Sequence, residues 1–409
     1  MDFSRVELTP QQQSFAGVVR ATLGQLMTPD VREHERETGD GFSEKVHLAL
    51  AERGWLTPAW PVSEGGAGLD PICQRLLELE LERHDVPDIT AGTTLLVWTA
   101  VEKFAEPELR GKLKAGVAAG TARFCLGYTE PDGGSDIAAA KVRAVRDGDE
   151  WVLNGSKIFT TGAHNCQYTF LITRTDPDLP KHKGLTMFLV PLDTPGIEIQ
   201  GIRAFSGERT NIVYYDDARI SDRYRLGGVN DGWAVLHGPL DEEHSIGDGE
   251  DGLADLSIGR HFLRPLEAAL DSAIGWARDS ARADGSRPAD DPAVLARLGR
   301  VATEIEAGMC TPGPMGRVKG SLALVEGAAE LIDLTAPLGV LSPGAPGAPG
   351  DGSIDYAHRF AQGTATYGGT IEVFRTIIAQ HVLGLPRPGY PGSKVFLPRS
   401  RAAAGTPQS

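Results

Sequence analysis

The apolar pattern of this chain changes period twice, and that change most narrows the folds open to it. From Leu8 to about Gly120 apolar residues recur at helical spacing, as over Cys73 to His84 and Thr94 to Phe104. Turn-rich stretches such as Pro58-Ala59-Trp60-Pro61 and Glu64-Gly65-Gly66-Ala67-Gly68 break the pattern. Near Ala122 the runs shorten. Arg123-Phe124-Cys125-Leu126, Trp151-Val152-Leu153, Tyr168-Thr169-Phe170-Leu171-Ile172, Met187-Phe188-Leu189-Val190 and Ile212-Val213-Tyr214-Tyr215 are separated by Gly, Pro, Asp and Asn. Such runs predict a small, mostly antiparallel β domain. After Asp231-Gly232-Trp233 the helical pattern returns and continues to Leu385. The expected organisation is therefore a helical domain over 1–121, a β domain over 122–232, a helical bundle over 233–387 and a flexible tail over 388–409. The first layer reads as scaffold, with Thr94 and Trp98 as candidates for lining a pocket.

Interruptions of the last region are expected at the acidic stretch Gly247 to Asp255, at Gly285 to Asp291 and at the Ser/Gly/Ala/Pro-rich stretch Leu341 to Gly352. The final helix should place Ile371, Phe374 and Ile378 on one face and stop at Gly384 and Pro386. With 40 basic and 55 acidic residues the net charge is −15, which argues against an electrostatic grip on nucleic acid or an anionic membrane. An anionic ligand would have to be held by local donors. Cys73, Cys125, Cys166 and Cys310 are far apart and form no CxxC pair, which suits a reducing compartment and offers no sulfur-rich metal site. The apolar stretch Ile89 to Val101 is too short to span a bilayer, and no secretory signal is visible, so a cytoplasmic location is expected.

Two stretches carry chemistry. In Tyr128-Thr129-Glu130-Pro131-Asp132-Gly133-Gly134-Ser135-Asp136, proline and two glycines turn the chain tightly and leave backbone N–H groups, Thr129 and Ser135 as donors. Taken alone it reads as a β-domain turn, since it is neither a P-loop nor a dinucleotide fingerprint. In Asn154-Gly155-Ser156-Lys157-Ile158-Phe159-Thr160-Thr161-Gly162-Ala163-His164, Phe159 could pack simply or present its face to a planar cofactor, and Thr161 could donate to that cofactor's edge. Lys157 reads as a solvated turn charge.

These stretches, together with Gly184-Leu185-Thr186-Met187-Phe188-Leu189-Val190-Pro191, the Asp216-Asp217-Ala218 to Gly232-Trp233 transition and Tyr367-Gly368-Gly369-Thr370, make the chain resemble the acyl-CoA dehydrogenase family over about residues 5 to 387. The resemblance implies an N-terminal helical domain, a central antiparallel β domain and a C-terminal four-helix bundle. FAD would lie between the last two and be completed by another subunit. Tyr128 and Thr129 would approach the flavin, Phe159 and Thr161 would flank its ring system, Ser135 would match a residue near phosphate, and Thr370 would sit near the cofactor. The implied reaction is oxidation of an acyl-CoA thioester to its 2,3-enoyl form, with electron-transfer flavoprotein or a similar acceptor downstream.

That reaction needs a base for the α-hydrogen. Many members of the resembled family carry it immediately before the Gly-Thr pair of the terminal motif, where this chain has Gly368. Others carry it soon after Gly-Trp, and Leu240-Asp241-Glu242-Glu243-His244 assigns the role to Glu243. His244 stands where arginine is usual and, with Ser135, is a candidate substrate contact. The Arg-x-x-x-Phe-Gly signature that binds FAD across subunits is replaced by Ala281-Arg282-Ala283-Asp284-Gly285, with Arg282 a partial substitute for the missing cation. Homotetramer and heteromeric subunit both follow, the altered signature favouring the latter. A non-catalytic partner subunit, and a monooxygenase or oxidase of the same fold, are the alternatives. Neither a metal nor NAD is expected. Branched, aromatic, fatty and steroid-derived acyl chains all stay open.

Overall fold

The computed structural model describes residues 7–243 and 258–386. The chain divides into two compact units, Met1–Leu256 and Ser257–Ser409.

The first unit begins with six helices: α1 (Pro10–Leu26), α2 (Pro29–Thr38), α3 (Glu44–Ala51), α4 (Pro71–Arg83), α5 (Ile89–Phe104) and α6 (Pro107–Ala118). Four of them open with proline in the first turn, where its missing N–H costs nothing. Thr9 closes a capping box with Gln12 at the start of α1, and the Asp70 carboxylate accepts from the amides of Ile72 and Cys73 at the start of α4.

The strands are β1 (Phe124–Gly127), β2 (Arg143–Asp147), β3 (Glu150–Ile158), β4 (Tyr168–Arg174), β5 (Leu185–Pro191), β6 (Ile197–Arg203), β7 (Arg209–Ser221) and β8 (Arg225–Leu226). They form one sheet in the order β6-β7-β3-β2-β4-β5-β8, with β1 paired to β4. Pairing is antiparallel except for β1 with β4 and a single-residue register of β2 with β4, which are parallel. Period-two alternation sorts the side chains. Phe170 and Ile172 of β4 and Met187 and Leu189 of β5 face a core shared with α5 and α6, through Val97, Trp98, Val101 and Leu113. Leu171, Phe188 and Val190 face the opposite core with Trp151, Leu153, Val213 and Ile220.

Helix α7 (Gly232–Glu243) belongs to this first unit and packs on α5 and β5. A Cβ added at Gly232 would lie 2.8 Å from Thr186 Cα and 2.9 Å from the Leu185 carbonyl oxygen, so glycine there lets the helix start directly against β5. The expected helical bundle from residue 233 is thus divided: its first helix packs with the sheet.

In the second unit α8 (Ile258–Asp279), α9 (Pro292–Met309), α10 (Gly313–Thr335) and α11 (Ser353–Thr364) pack against one another, followed by α12 (Ile371–Ile377) and a π-helical turn over Ile378–Val382. On α8 the buried Leu263, Leu266, Leu270, Ala273 and Ala277 trace one face. Ile371 and Phe374 are buried as expected, Ile378 is half-buried because the α-helix gives way to the π turn there, and Gly384 follows at φ +64. Backbones of α8 and α10 meet through glycine: a Cβ on Gly320 would sit 2.3 Å from the Gly259 oxygen. A Cβ on Gly299, in α9, would meet nothing within 4 Å. Gly320→Ala should therefore lower unfolding stability by about 1–3 kcal/mol, and Gly299→Ala should raise it by roughly 0.5–1 kcal/mol. Urea denaturation of both variants checks the pair, and equal shifts of the same sign would contradict the packing.

Candidate functional site

Strand β1 delivers the chain into the first of the two motif stretches, which closes on itself through reciprocal backbone bonds between Glu130 and Gly133 at 3.0 Å. The Glu130 carboxylate turns inward. It accepts from the amides of Lys141 and Val142 and from Lys157 Nζ at 2.8 Å. Lys157 is fully buried, and its ammonium also donates to the Tyr128 carbonyl at 3.1 Å. Burial pulls this ammonium down to about 8, against the carboxylate that holds it up. The expectation of a solvated turn charge is therefore corrected: Lys157 points inward from β3 because Glu130 and the Tyr128 carbonyl supply acceptors there.

The two stretches are joined a second time by the Ile158 amide, which donates to the Thr129 carbonyl at 2.9 Å. The chain then leaves β3 through Phe159, which has φ +59 and is 61% exposed. A left-handed aromatic residue costs on the order of 1–3 kcal/mol and persists only where its surroundings over-determine it. Asn211, fully buried on β7, supplies that restraint: its carbonyl accepts from the Thr160 amide and its side-chain amide donates to the Thr160 carbonyl, both at 3.0 Å. Thr161 is exposed and its hydroxyl shares a hydrogen bond with Thr210 at 3.0 Å. His164 closes the stretch, its Nδ1 accepting from the Asn211 side chain at 3.1 Å and its Nε2 lying 3.2 Å from Asp40. Burial, then the neighbouring Arg209, hold His164 below the ordinary histidine range.

The fold thus brings Thr129, Phe159 and Thr161 together at the ends of β1 and β3. Tyr128 is different: its ring is buried edge-on against Phe170 at 6.0 Å, and its carbonyl serves Lys157. Ser135 is exposed beyond the Glu130–Gly133 turn. Thr94 and Trp98 are both buried in the scaffold. The Thr94 hydroxyl accepts from the Phe124 amide at 3.0 Å, pinning α5 to β1, and buried Trp98 packs on Trp60 at 5.0 Å. A cleft of about 410 Å³, lined by residues including Asp40, Arg123 and His164, contains none of the nominated cofactor residues.

In the second unit Thr370 caps α12, its hydroxyl accepting from the Val373 amide at 3.2 Å. The turn before it has positive φ at Gly368 and Gly369, and the Arg317 guanidinium lies under it, donating to the carbonyls of Thr364, Tyr367 and Gly369. Arg317 escaped notice in the sequence. Its signal was its spacing, for it falls with Gly313, Gly320, Leu324, Ala328 and Leu331 on the buried face of α10. Arg282 is exposed in the α8–α9 connection and pairs with Asp291 at 3.0 Å. Glu243 is the last residue of α7, while its side chain, all of His244 and the stretch Gly247 to Asp255 lie outside the described residues.

The donor set in the first unit suits a flat heterocycle with polar edges. One exposed aromatic ring offers a stacking face, and Thr129 and Thr161 are held near it through the backbone by the Ile158 amide on the Thr129 carbonyl and the Thr161 amide on the Phe159 carbonyl. Among the described residues no cluster of His, Cys, Asp and Glu could hold a metal ion, and no helix is long and apolar enough to cross a membrane.

Residues 9–121 match the model of the acyl-CoA dehydrogenase N-terminal domain, and residues 125–217 that of the acyl-CoA dehydrogenase middle domain. The acyl-CoA dehydrogenase IpdE1 of Mycobacterium tuberculosis is 33% identical over 373 residues, covering 87% of this chain and 90% of that relative. Among solved structures, a chain of the ChsE4-ChsE5 complex from Mycobacterium tuberculosis aligns with TM-score 0.79 and 28% identity over 94% of this chain and 100% of its own. A chain of the Tcur3481-Tcur3483 steroid acyl-CoA dehydrogenase aligns with TM-score 0.78, 28% identity and the same coverage.

Breaking the buried pair tests the platform. Lys157→Met should cost about 3–5 kcal/mol by stranding the Glu130 charge, and Lys157→Met with Glu130→Gln should cost less than the sum of the two single substitutions. Denaturant unfolding of the four chains checks this, and strict additivity would contradict it.

Proposed function

This chain belongs to the acyl-CoA dehydrogenase family, whose members are FAD-dependent oxidoreductases, and we propose that it converts an acyl-CoA thioester to its 2,3-enoyl form with Glu243 taking the α-proton. The observation that carries this reading is the exposed, left-handed Phe159 beside Thr129 and Thr161, held on a platform whose internal charges are already paired. When bound, FAD supplies the hydride acceptor.

The chain's own residues would do the rest. Phe159 offers a face for the flavin ring, and the hydroxyls of Thr129 and Thr161 can meet its polar edge. Ser135, exposed, is assigned to phosphate or thioester in this reading. Thr370 is a further cofactor contact in this reading. Glycine at position 368 cannot take a proton, so the base is drawn from α7, which ends in Glu243. A carboxylate there serves as base once substrate excludes water and raises its proton affinity. His244 and Arg282 are secondary contacts in this reading, the imidazole shorter than the usual arginine and the guanidinium partly occupied by Asp291.

The assembly we favour pairs this chain with a second, different member of the family. Two observations support it: the cross-subunit Arg and Phe signature is replaced by Ala281-Arg282-Ala283-Asp284-Gly285, and the similar solved structures are named as pairs, one of them a steroid acyl-CoA dehydrogenase. A steroid-derived acyl chain is accordingly the first substrate to try, with electron-transfer flavoprotein as the proposed acceptor. Full FAD occupancy in the isolated homomer would defeat the partner requirement.

Glu243→Gln should keep FAD binding and slow anaerobic flavin reduction by substrate roughly 100- to 10,000-fold. Stopped-flow reduction measures it, and near-normal reduction would remove Glu243 from the mechanism.

A further inference from the structure

Resting on the flavin reading above, we infer that Arg317 is the positioning residue for the turn that presents Thr370 to the cofactor. Arg317 is 1% exposed, in the interior of α10. An arginine so placed must satisfy a planar fork of donors, and this one directs Nη2 at main-chain carbonyls and Nη1 at a hydroxyl. Its Nη2 lies 2.8 Å from the Thr364 carbonyl, 2.5 Å from that of Tyr367 and 3.1 Å from that of Gly369. Its Nη1 donates to the Ser321 hydroxyl, which itself donates to the Thr364 carbonyl at 3.1 Å. The guanidinium is sandwiched between the rings of Phe262 at 4.6 Å and Phe374 at 5.1 Å.

The three carbonyls span the whole connection. Thr364 ends α11, where carbonyls carry the negative end of the helix dipole, and Gly369 immediately precedes the cap of α12. One cation therefore sets the distance between the end of one helix and the start of the next. The turn between them is tied at its start by the Thr366 and Tyr367 amides on the Gly363 carbonyl, while Gly368 at φ +56 and Gly369 at φ +99 bring no side chain to pack, and it is there that the Arg317 contacts bear. Thr370 follows directly. Its hydroxyl oxygen is committed to the Val373 amide, so the hydroxyl proton is what it can offer outward, and the direction of that proton follows the turn. Lysine could replace the charge of Arg317 but not its fork, since one ammonium at the end of a shorter side chain cannot hold the carbonyls at the Nη2 position and the Ser321 hydroxyl at the Nη1 position together.

The experiment uses the full chain and three variants, Arg317→Lys, Thr370→Val and the double substitution, read by hydrogen exchange over residues 365–371 and by FAD affinity from flavin fluorescence. In Arg317→Lys the turn amides should exchange at least about tenfold faster while the rest of α10 and α11 keeps its protection. FAD affinity should fall about 10- to 100-fold, Thr370→Val should fall similarly, and the double variant should fall no further than the weaker of the two. Unchanged exchange in Arg317→Lys, or additive losses of affinity, would overturn the inference. Absence of FAD binding by the unsubstituted chain with its partner would instead defeat the flavin reading, and the exchange result would still decide what Arg317 does for the turn.

Discussion

A lysine ammonium with no access to water governs the first unit. Lys157 is fully buried, and the carboxylate of Glu130 together with the Tyr128 carbonyl are what make that burial tolerable. The consequence is geometric as much as energetic. The two stretches it joins are 27 residues apart at Lys157 and Glu130, and the clamp brings the end of β1 beside the end of β3. With those ends fixed, Phe159 can be held in an unfavourable backbone conformation with its ring exposed, close along the backbone to Thr129 and Thr161.

The second unit solves a similar problem with a similar device. Arg317, also buried, draws together main-chain carbonyls of a glycine-rich turn, as Lys157 draws on the carbonyl of Tyr128. In both places a buried cation beneath a connection holds its main-chain oxygens. The positioning is done largely by backbone oxygens rather than by the loop's own side chains.

Much of the architecture was legible because it follows from period. Phe170, Leu171, Phe188 and Leu189 alternate between two cores, and the apolar run around them announced β4 and β5. Strands β2, β6 and β8 were not legible: β2 buries only one of its five side chains, β6 buries none fully, and β8 has two residues. Tyr128 and Lys157 show the limit at the site itself. Their neighbours in sequence mark a functional stretch, but whether a side chain points outward is decided by partners distant in sequence, here Phe170 and Glu130. Arg317 was hidden for the same reason, since its acceptors lie some 50 residues away. Helix α7 reads as the start of a bundle, yet it packs with the sheet because Gly232 admits it against β5.

In the proposed reaction these features serve a flat redox cofactor and a base at Glu243, the last residue of α7. The most direct measurement is an anaerobic titration of the FAD-reconstituted protein, with its partner subunit, against a panel of short, branched, aromatic and steroid-derived acyl-CoA thioesters. Stoichiometric bleaching of the flavin by at least one thioester, with the matching 2,3-enoyl product recovered, is the result this account requires. A flavin that stays oxidised across the whole panel, or a hydroxylated product once oxygen is admitted, would contradict it.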